Sequence, residues 1–386
     1  MWETWLAIAI GLLVVAGLGT AYVVRTRASG TALVGPRRPS RDHFRKDAEP
    51  APIRRVTVIV NPTKVADLPE VRAELTRLVT ALGWAEPTVV ETTVADPGYG
   101  QARAALADDV DLVCALGGDG TVRAIAEVLA GSRTPMGLLP SGTGNLLARN
   151  LGLPLERLDH AVEVALTGYN RHIDTGWVVI DPTDDQLAAA EGEGEPDDAA
   201  VAVPTPEPDE NAHAFLVMAG LGLDAAIMEG TSEQLKARVG WPAYVTGGVK
   251  NMLKARFRTS LVVDGGTEST HRARTVVVGN CGVLTGGITL MPEAEVDDGI
   301  LDLLALTPRG LAGWAGLAAH VLTQRTKDHS TLERYRCRRA LVTVEEPQRV
   351  QMDGDVVGEA SRVLFMVRPH SLIVRVATIP PRAPAT

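Results

Sequence analysis

The sequence predicts a membrane-anchored α/β protein of two domains, the first on a mostly parallel sheet and the second rich in antiparallel strands. Three observations carry that expectation. Residues 5–24 form an uncharged run, strands alternate with helices from residue 56 to 140, and short strands dominate from 171 onward. Of the 386 residues, 45% are hydrophobic and 22% charged, which suits buried cores and excludes a wholly disordered chain.

The N-terminal run, WLAIAIGLLVVAGLGTAYVV, holds no charge over residues 5–24. At ~1.5 Å per residue it spans ~30 Å, the thickness of a bilayer core. Trp2, Trp5 and Tyr22 suit its two interfaces. Glu3 precedes the run and no Lys or Arg does, which favours an uncleaved anchor over a signal peptide. Residues 1–27 are therefore read as a transmembrane anchor and 28–55 as a basic linker. Between Arg25 and Arg55 lie nine basic and three acidic residues, so the positive-inside rule puts the body of the protein in the cytoplasm. The same flank also suits anionic lipid headgroups.

The net charge of −9 includes eleven carboxylates between Asp181 and Glu210, which leaves +2 for the rest of the chain. No basic stripe covers a folded domain, so nucleic acid is not an expected partner. Cys114, Cys281 and Cys337 are far apart and form no CxxC pair, so neither a disulfide framework nor a cysteine zinc site is expected.

The first domain is expected over 56–170. VTVIV at 56–60 is β-branched and ends at Asn61-Pro62, a strand and turn. Val71, Leu75, Leu78, Val79 and Leu82 recur at helical spacing. PTVVETT is a strand, 101–107 a helix, VDLVCAL (110–116) a buried strand, 121–130 a helix and MGLLP (136–140) a strand. This alternation predicts a parallel sheet covered on both faces, with ligands at the carboxyl ends of its strands.

The second domain is expected over 171–377, followed by a tail at 378–386. Its strands are read at HIDTGWVVI, AFLVMAG, TSLVVDG, RARTVVVGN, ILDLLAL, RALVTVEE, SRVLFMVR and SLIVRVA, with helices near 233–256 and 309–324. The last strands either stay in this domain or return to the first. Residues 181–212, acidic and poor in large apolar side chains, predict a disordered insertion.

Three loops at strand ends carry the chemistry. Gly117-Gly118-Asp119-Gly120-Thr121 follows VDLVCAL and opens a helix, so its amides and the helix N-terminus suit phosphate oxygens. Pro140-Ser141-Gly142-Thr143-Gly144-Asn145 follows MGLLP, and Asn61-Pro62-Thr63-Lys64 ends the first strand. Any one alone is a tight turn, whereas three at equivalent strand ends point to a nucleotide phosphate site. No GxxxxGK[ST] is present, so this is not a Walker-type loop. Gly220-Leu221-Gly222 lacks a βαβ frame and reads as a turn.

GGDGT at 117–121 and PSGTGNLLARNLGLP at 140–154 together resemble the catalytic domain of the diacylglycerol kinase and lipid kinase family. NPTKV, GNCGVLTGGITLMPEAEVDDGILDLL (279–304) and MDGDVVG (352–358) fit the same pattern, so the resemblance runs from 56 to 377. It implies an NAD kinase/diacylglycerol kinase-like fold, ATP with Mg²⁺, and a lipid substrate in the membrane. Nucleotide contacts then fall on Asn61, Pro62, Thr63, Lys64 and Val65, on Thr93, on Gly117, Gly118, Asp119, Gly120, Thr121, Val122 and Arg123, and on Thr143. A structural magnesium falls on Asp298, with Glu295 and Ile300 as flanking contacts through main-chain oxygens. The proton acceptor, at the end of a DGE motif, falls on Asp355. Asp119 is a second catalytic candidate, which either holds Mg²⁺ or fixes its loop.

Two motifs depart from the family pattern. GGDGT-x-N-E reads Arg123 and Ala124 at its last two positions, and the acceptor is Asp355 rather than Glu. On local sequence alone Asp355 reads as a hairpin-turn aspartate. Two rivals stay open beside the lipid kinase: an NAD kinase-like enzyme, and a catalytically silent, membrane-anchored lipid-binding protein.

Overall fold

The computed structural model describes residues 53–142, 144–192, 211–222, 256–284, 289–308, 313 and 332–377. The expected anchor and linker, the helices read near 233–256 and 309–324, and Thr143 lie wholly or mainly outside these residues. Among the described residues no helix is long and apolar enough to cross a membrane.

The first half follows the alternation. It runs β1 (Val56–Val60), a 3-10 turn (Pro62–Lys64), α1 (Leu68–Ala81), β2 (Thr88–Glu91), α2 (Tyr99–Ala107), β3 (Leu112–Gly117), α3 (Asp119–Leu129), β4 (Met136–Pro140), α4 (Leu146–Asn150) and α5 (Leu158–Thr167). β1 pairs in parallel with β2 and with β3, and β3 with β4. The two-residue period divides each strand between two cores. Val58, Val60, Cys114 and Leu116 pack with Leu75 of α1 and Ala161 of α5. Ile59, Val113 and Ala115 join Ala102 of α2 and Ile125 and Leu129 of α3. Burial on both faces explains why β3 reads as an apolar run and β1 as a β-branched one. Asp67 caps α1 by accepting the Glu70 N–H at 3.0 Å, which fixes the helix start one residue before Pro69.

The second half runs β5 (Tyr169–Ile180), α6 (Asp184–Gly192), β6 (Ala212–Phe215), β7 (Met218–Leu221), β8 (Phe257–Val263), β9 (Ser269–Ala273), β10 (Thr275–Gly279), β11 (Leu301–Leu306), β12 (Leu332–Cys337), β13 (Arg339–Met352) and β14 (Asp355–Val376). All its internal pairings are antiparallel. One 14-stranded sheet carries both halves, in the order β12-β11-β10-β7-β13-β14-β4-β3-β1-β2, with β5 and β6, and β8 and β9, off that path. The join is β14, 22 residues long, whose end turns parallel to β4 at Val374–Met136. SRVLFMVR and SLIVRVA, read as two strands, are parts of this single one, with a register shift between Arg368 and Leu372.

Two expectations are corrected. Residues 184–192, inside the predicted disordered insertion, form α6. A reciprocal cap starts it: Thr183 Oγ1 accepts the Gln186 N–H at 3.2 Å, and Gln186 Oε1 accepts the Thr183 N–H at 3.0 Å. Leu187 and Ala190 then pack against Val179, Ala212 and Leu364, so two apolar residues suffice on a ready-made surface. The other correction concerns AFLVMAG, read as one strand. It breaks at Leu216-Val217 into β6 and β7, because those amides are drawn to a buried carboxylate described below.

Candidate active site

The three loops meet at the carboxyl ends of β1, β3 and β4 and are laced by hydrogen bonds. Asn61 Oδ1 accepts from the Thr63 amide at 3.0 Å and hydroxyl at 2.8 Å, closing the 3-10 turn. Its Nδ2 donates to Thr121 Oγ1 at 3.3 Å, tying the turn to the glycine loop. Ser141 Oγ donates to the Lys64 carbonyl at 2.7 Å, and the Ser141 amide to the Gly117 carbonyl at 3.3 Å. A Cβ on Gly142 would stand 3.1 Å from Gly118 Cα, so the second and third loops touch backbone to backbone. Lys64 lies across Gly118, where an added Cβ would meet only its Cε, at 3.7 Å.

Asp119 belongs to this lacing. Its Oδ1 accepts the Leu146 N–H at 2.6 Å, and a Cβ on Gly144 would come 2.2 Å from its Oδ2. Burial pushes this carboxyl up from its ordinary value, and the Leu146 and Asn145 amides pull against that shift. Of its two expected roles, fixing the loop is the one the contacts support. Val122 and Val65 turn their side chains to the two cores and offer a ligand only backbone. Thr93 follows β2 and bonds locally to Asp96, through its amide at 2.9 Å and its hydroxyl at 3.0 Å.

The β13–β14 hairpin carries Asp355, the expected acceptor. Asp353 and Gly354, at φ 47° and 97°, form its turn, so the local-sequence reading of a turn aspartate fits Asp353 and not Asp355. Asp353 is 8% exposed and its carboxylate accepts three amides in a row, Leu216 and Val217 at 2.9 Å and Met218 at 3.0 Å. Burial pushes its carboxyl up, against the pull of those donors. Two residues on, Asp355 opens β14 with a side chain 55% exposed. A Cβ on Gly120 would lie 3.3 Å from Asp355 Oδ2, so the carboxylate stands directly over the glycine loop.

Both departures from the family pattern meet here. Arg123 Nη2 donates to Asp355 Oδ2 at 2.7 Å across 232 positions of sequence. The Arg123 side chain is only 12% exposed, and its Nε is buried without a hydrogen-bond partner. One helical turn on, Glu127 is 5% exposed and accepts the Ala214 N–H at 3.0 Å and the Tyr99 hydroxyl at 3.5 Å. A polar network is thus built on Arg123 and Glu127, where the pattern expects Asn and Glu at 123 and 124.

The diacylglycerol kinase catalytic domain matches residues 55–178, and the YegS C-terminal NAD kinase beta sandwich-like domain matches 217–376. The "Probable lipid kinase YegS-like" of Pseudomonas aeruginosa is 30% identical over 274 residues, covering 70% of this chain and 78% of that protein. The chain belongs to the diacylglycerol kinase and YegS-like lipid kinase family. The diacylglycerol kinase of Mycobacterium tuberculosis is 41% identical over 78 residues, 20% of this chain, and the match spans a quarter (25%) of that relative's length. A crystal structure of a diacylglycerol kinase from Bacillus anthracis superimposes with a TM-score of 0.60 at 20% identity, covering 85% of this chain and 98% of that one. At that identity it shows the shared fold.

This lipid kinase family member does not present an open magnesium site at the residues the resemblance implies. Asp298 Oδ1 accepts the Ile300 N–H at 3.0 Å, and Oδ2 pairs with Arg336 at 2.5 Å. The adjacent Asp297 pairs with Arg171 at 2.9 Å, and Glu295 is exposed. Each aspartate of the DDG block pairs with a guanidinium. Among the described residues no three His, Cys, Asp or Glu side chains gather as a metal-binding group. Arg336, Glu127, Asp353 and Tyr99 went unnoticed in sequence. Only Asp353 carried a signal, the Asp-Gly of a tight hairpin turn.

Proposed function

We propose that this chain transfers the γ-phosphoryl group of ATP to a hydroxyl of diacylglycerol or a related lipid at the cytoplasmic face of the membrane. The observation that carries the reading is the Asp355 carboxylate standing over Gly120, at the edge of three interlocked strand-end loops. Phosphates fit Gly117–Gly120, where amides and the start of α3 face an anion and Lys64 adds a positive charge. The lipid oxygen attacks the γ-phosphorus while the bond from that phosphorus to the β–γ bridging oxygen breaks. Its proton passes to Asp355, and ADP leaves with the bonding electron pair. Little covalent work falls to the protein, so the loops act by positioning and charge stabilisation.

An anchor at 5–24 supports the lipid reading, because it would hold the loops beside a substrate that stays in the bilayer. Carbonate extraction is expected to leave the full-length chain in the membrane pellet. The deciding experiment incubates purified protein with labelled ATP and mixed micelles of diacylglycerol. Label in the lipid extract is the expected result. Label appearing on NAD instead favours the NAD kinase-like reading. ATP binding without any transfer favours a lipid-binding protein.

A further inference from the structure

We infer that Arg123 is the positioning residue of the acceptor carboxylate: it clamps Asp355 over the phosphate loop, where an unclamped aspartate would be repelled and too short to stay. The inference rests on the phosphoryl-transfer reading above and assigns a new role within that site.

Asp355 is exposed over half its side chain and belongs to a two-residue hairpin. No other hydrogen bond to its carboxylate is seen among the described residues, so its rotamer depends on Arg123. It also stands over the loop that would hold the phosphates, and like charges repel at that range. A guanidinium in contact removes much of that repulsion while leaving one carboxylate oxygen free to take a proton. Arg123 is suited to this because it is fixed where Asp355 is not. It lies in the first turns of α3, with its side chain nearly buried. Glu127 and Asp353 add attraction, since both lie within electrostatic reach of Arg123. The clamp therefore joins the helix that opens from the phosphate loop to the hairpin that delivers the base.

The pair is also a substitution in kind. A carboxylate one methylene shorter than Glu gains reach from a long cation at 123, where the family pattern has the short, neutral Asn. Misplacing a reacting group by about 1 Å can cost on the order of 10²-fold in rate. Stability is affected little, because an ion pair with one partner this exposed contributes weakly to folding.

The test is a double-mutant cycle on lipid phosphorylation with saturating diacylglycerol. Arg123→Gln is expected to lower kcat about 10- to 100-fold, with KM for ATP changed less than about 3-fold. Arg123→Lys, which keeps the charge without the fork, is expected to recover most of that loss. In an Asp355→Asn background nothing remains to be clamped, so adding Arg123→Gln is expected to change kcat less than about 3-fold. Thermal melting of each variant guards against misfolding, and Arg123→Lys covers the case in which Arg123→Gln fails to fold. Equal losses from Arg123→Gln in both backgrounds would overturn the clamp, as would a raised KM at unchanged kcat. An inactive wild type would instead overturn the lipid kinase reading and the clamp together, so the two failures are distinguishable.

Discussion

The two halves of the sheet contribute to the site in opposite ways. The parallel half supplies three loops at strand ends, and most of what they offer is backbone. Each turn is closed within a few residues, as when Asn61 closes its own through Thr63, and the loops are then tied to one another across 27 to 77 positions. The antiparallel half supplies a single carboxylate, carried in on a hairpin and held by contacts with residues far away in sequence. Asp353 reaches 135 to 137 positions to its amides and Asp355 reaches 232 to its arginine. On the proposed reading the loops hold phosphate and Asp355 takes the proton, so substitutions in the two halves should separate affinity from turnover.

Asp355→Asn tests that separation with the largest effect. It keeps the size of the side chain and removes the base, so kcat is expected to fall about 10²–10⁴-fold while KM for ATP stays nearly constant in steady-state assays. Asp355→Glu, which keeps the carboxylate, is expected to retain measurable turnover. Gly118→Ala sharpens the other half. At φ −91° and with only the Lys64 Cε within 4 Å, the added methyl costs the fold nothing but stands where phosphate must approach. KM for ATP is expected to rise roughly 10-fold, at kcat within a few-fold of wild type, as one lost phosphate contact of about 1.4 kcal/mol would give.

Asp353→Ala tests whether the hairpin is anchored as described. It strips three buried amides of their acceptor, at a cost of about 1–3 kcal/mol for each one left unsatisfied, so a clear drop in melting temperature is expected. The smallest effect is expected from removing 193–210, acidic residues with few large apolar side chains, which should leave activity within a few-fold. A deletion begun at 184 also takes Leu187 and Ala190 off Val179 and Leu364 and should melt earlier. Equal melting temperatures for the two deletions would remove α6 from the fold's support.

What the sequence made legible follows the same division. β1, α1, β3 and the glycine loops were readable because their signals are short: β-branched runs, a 3.6-residue period, glycine clusters at strand ends. Residues 214–220 were misread because the break at Leu216-Val217 is caused by a carboxylate 136 positions away from Val217, which no local pattern encodes. α6 was missed because composition averages over thirty residues, whereas its support comes from two side chains meeting a surface made elsewhere. Arg123 was visible as a departure from a motif. What it touches was not, since the pairing of α3 with the β13–β14 hairpin exists only in the folded chain.

The long final strand has a consequence for how the chain is made. β4, an inner strand of the parallel half, receives its outer neighbour among the described residues from Val374 at the far end of β14. During synthesis the ribosome finishes β1 to β4 more than two hundred residues before that neighbour emerges. For that interval β4 presents an open edge able to pair with the wrong chain. Nascent chains arrested before residue 355 should therefore bind chaperones and resist release, and fusions that crowd the C-terminus should lower the yield of folded protein even though they sit far from both aspartates of the hairpin.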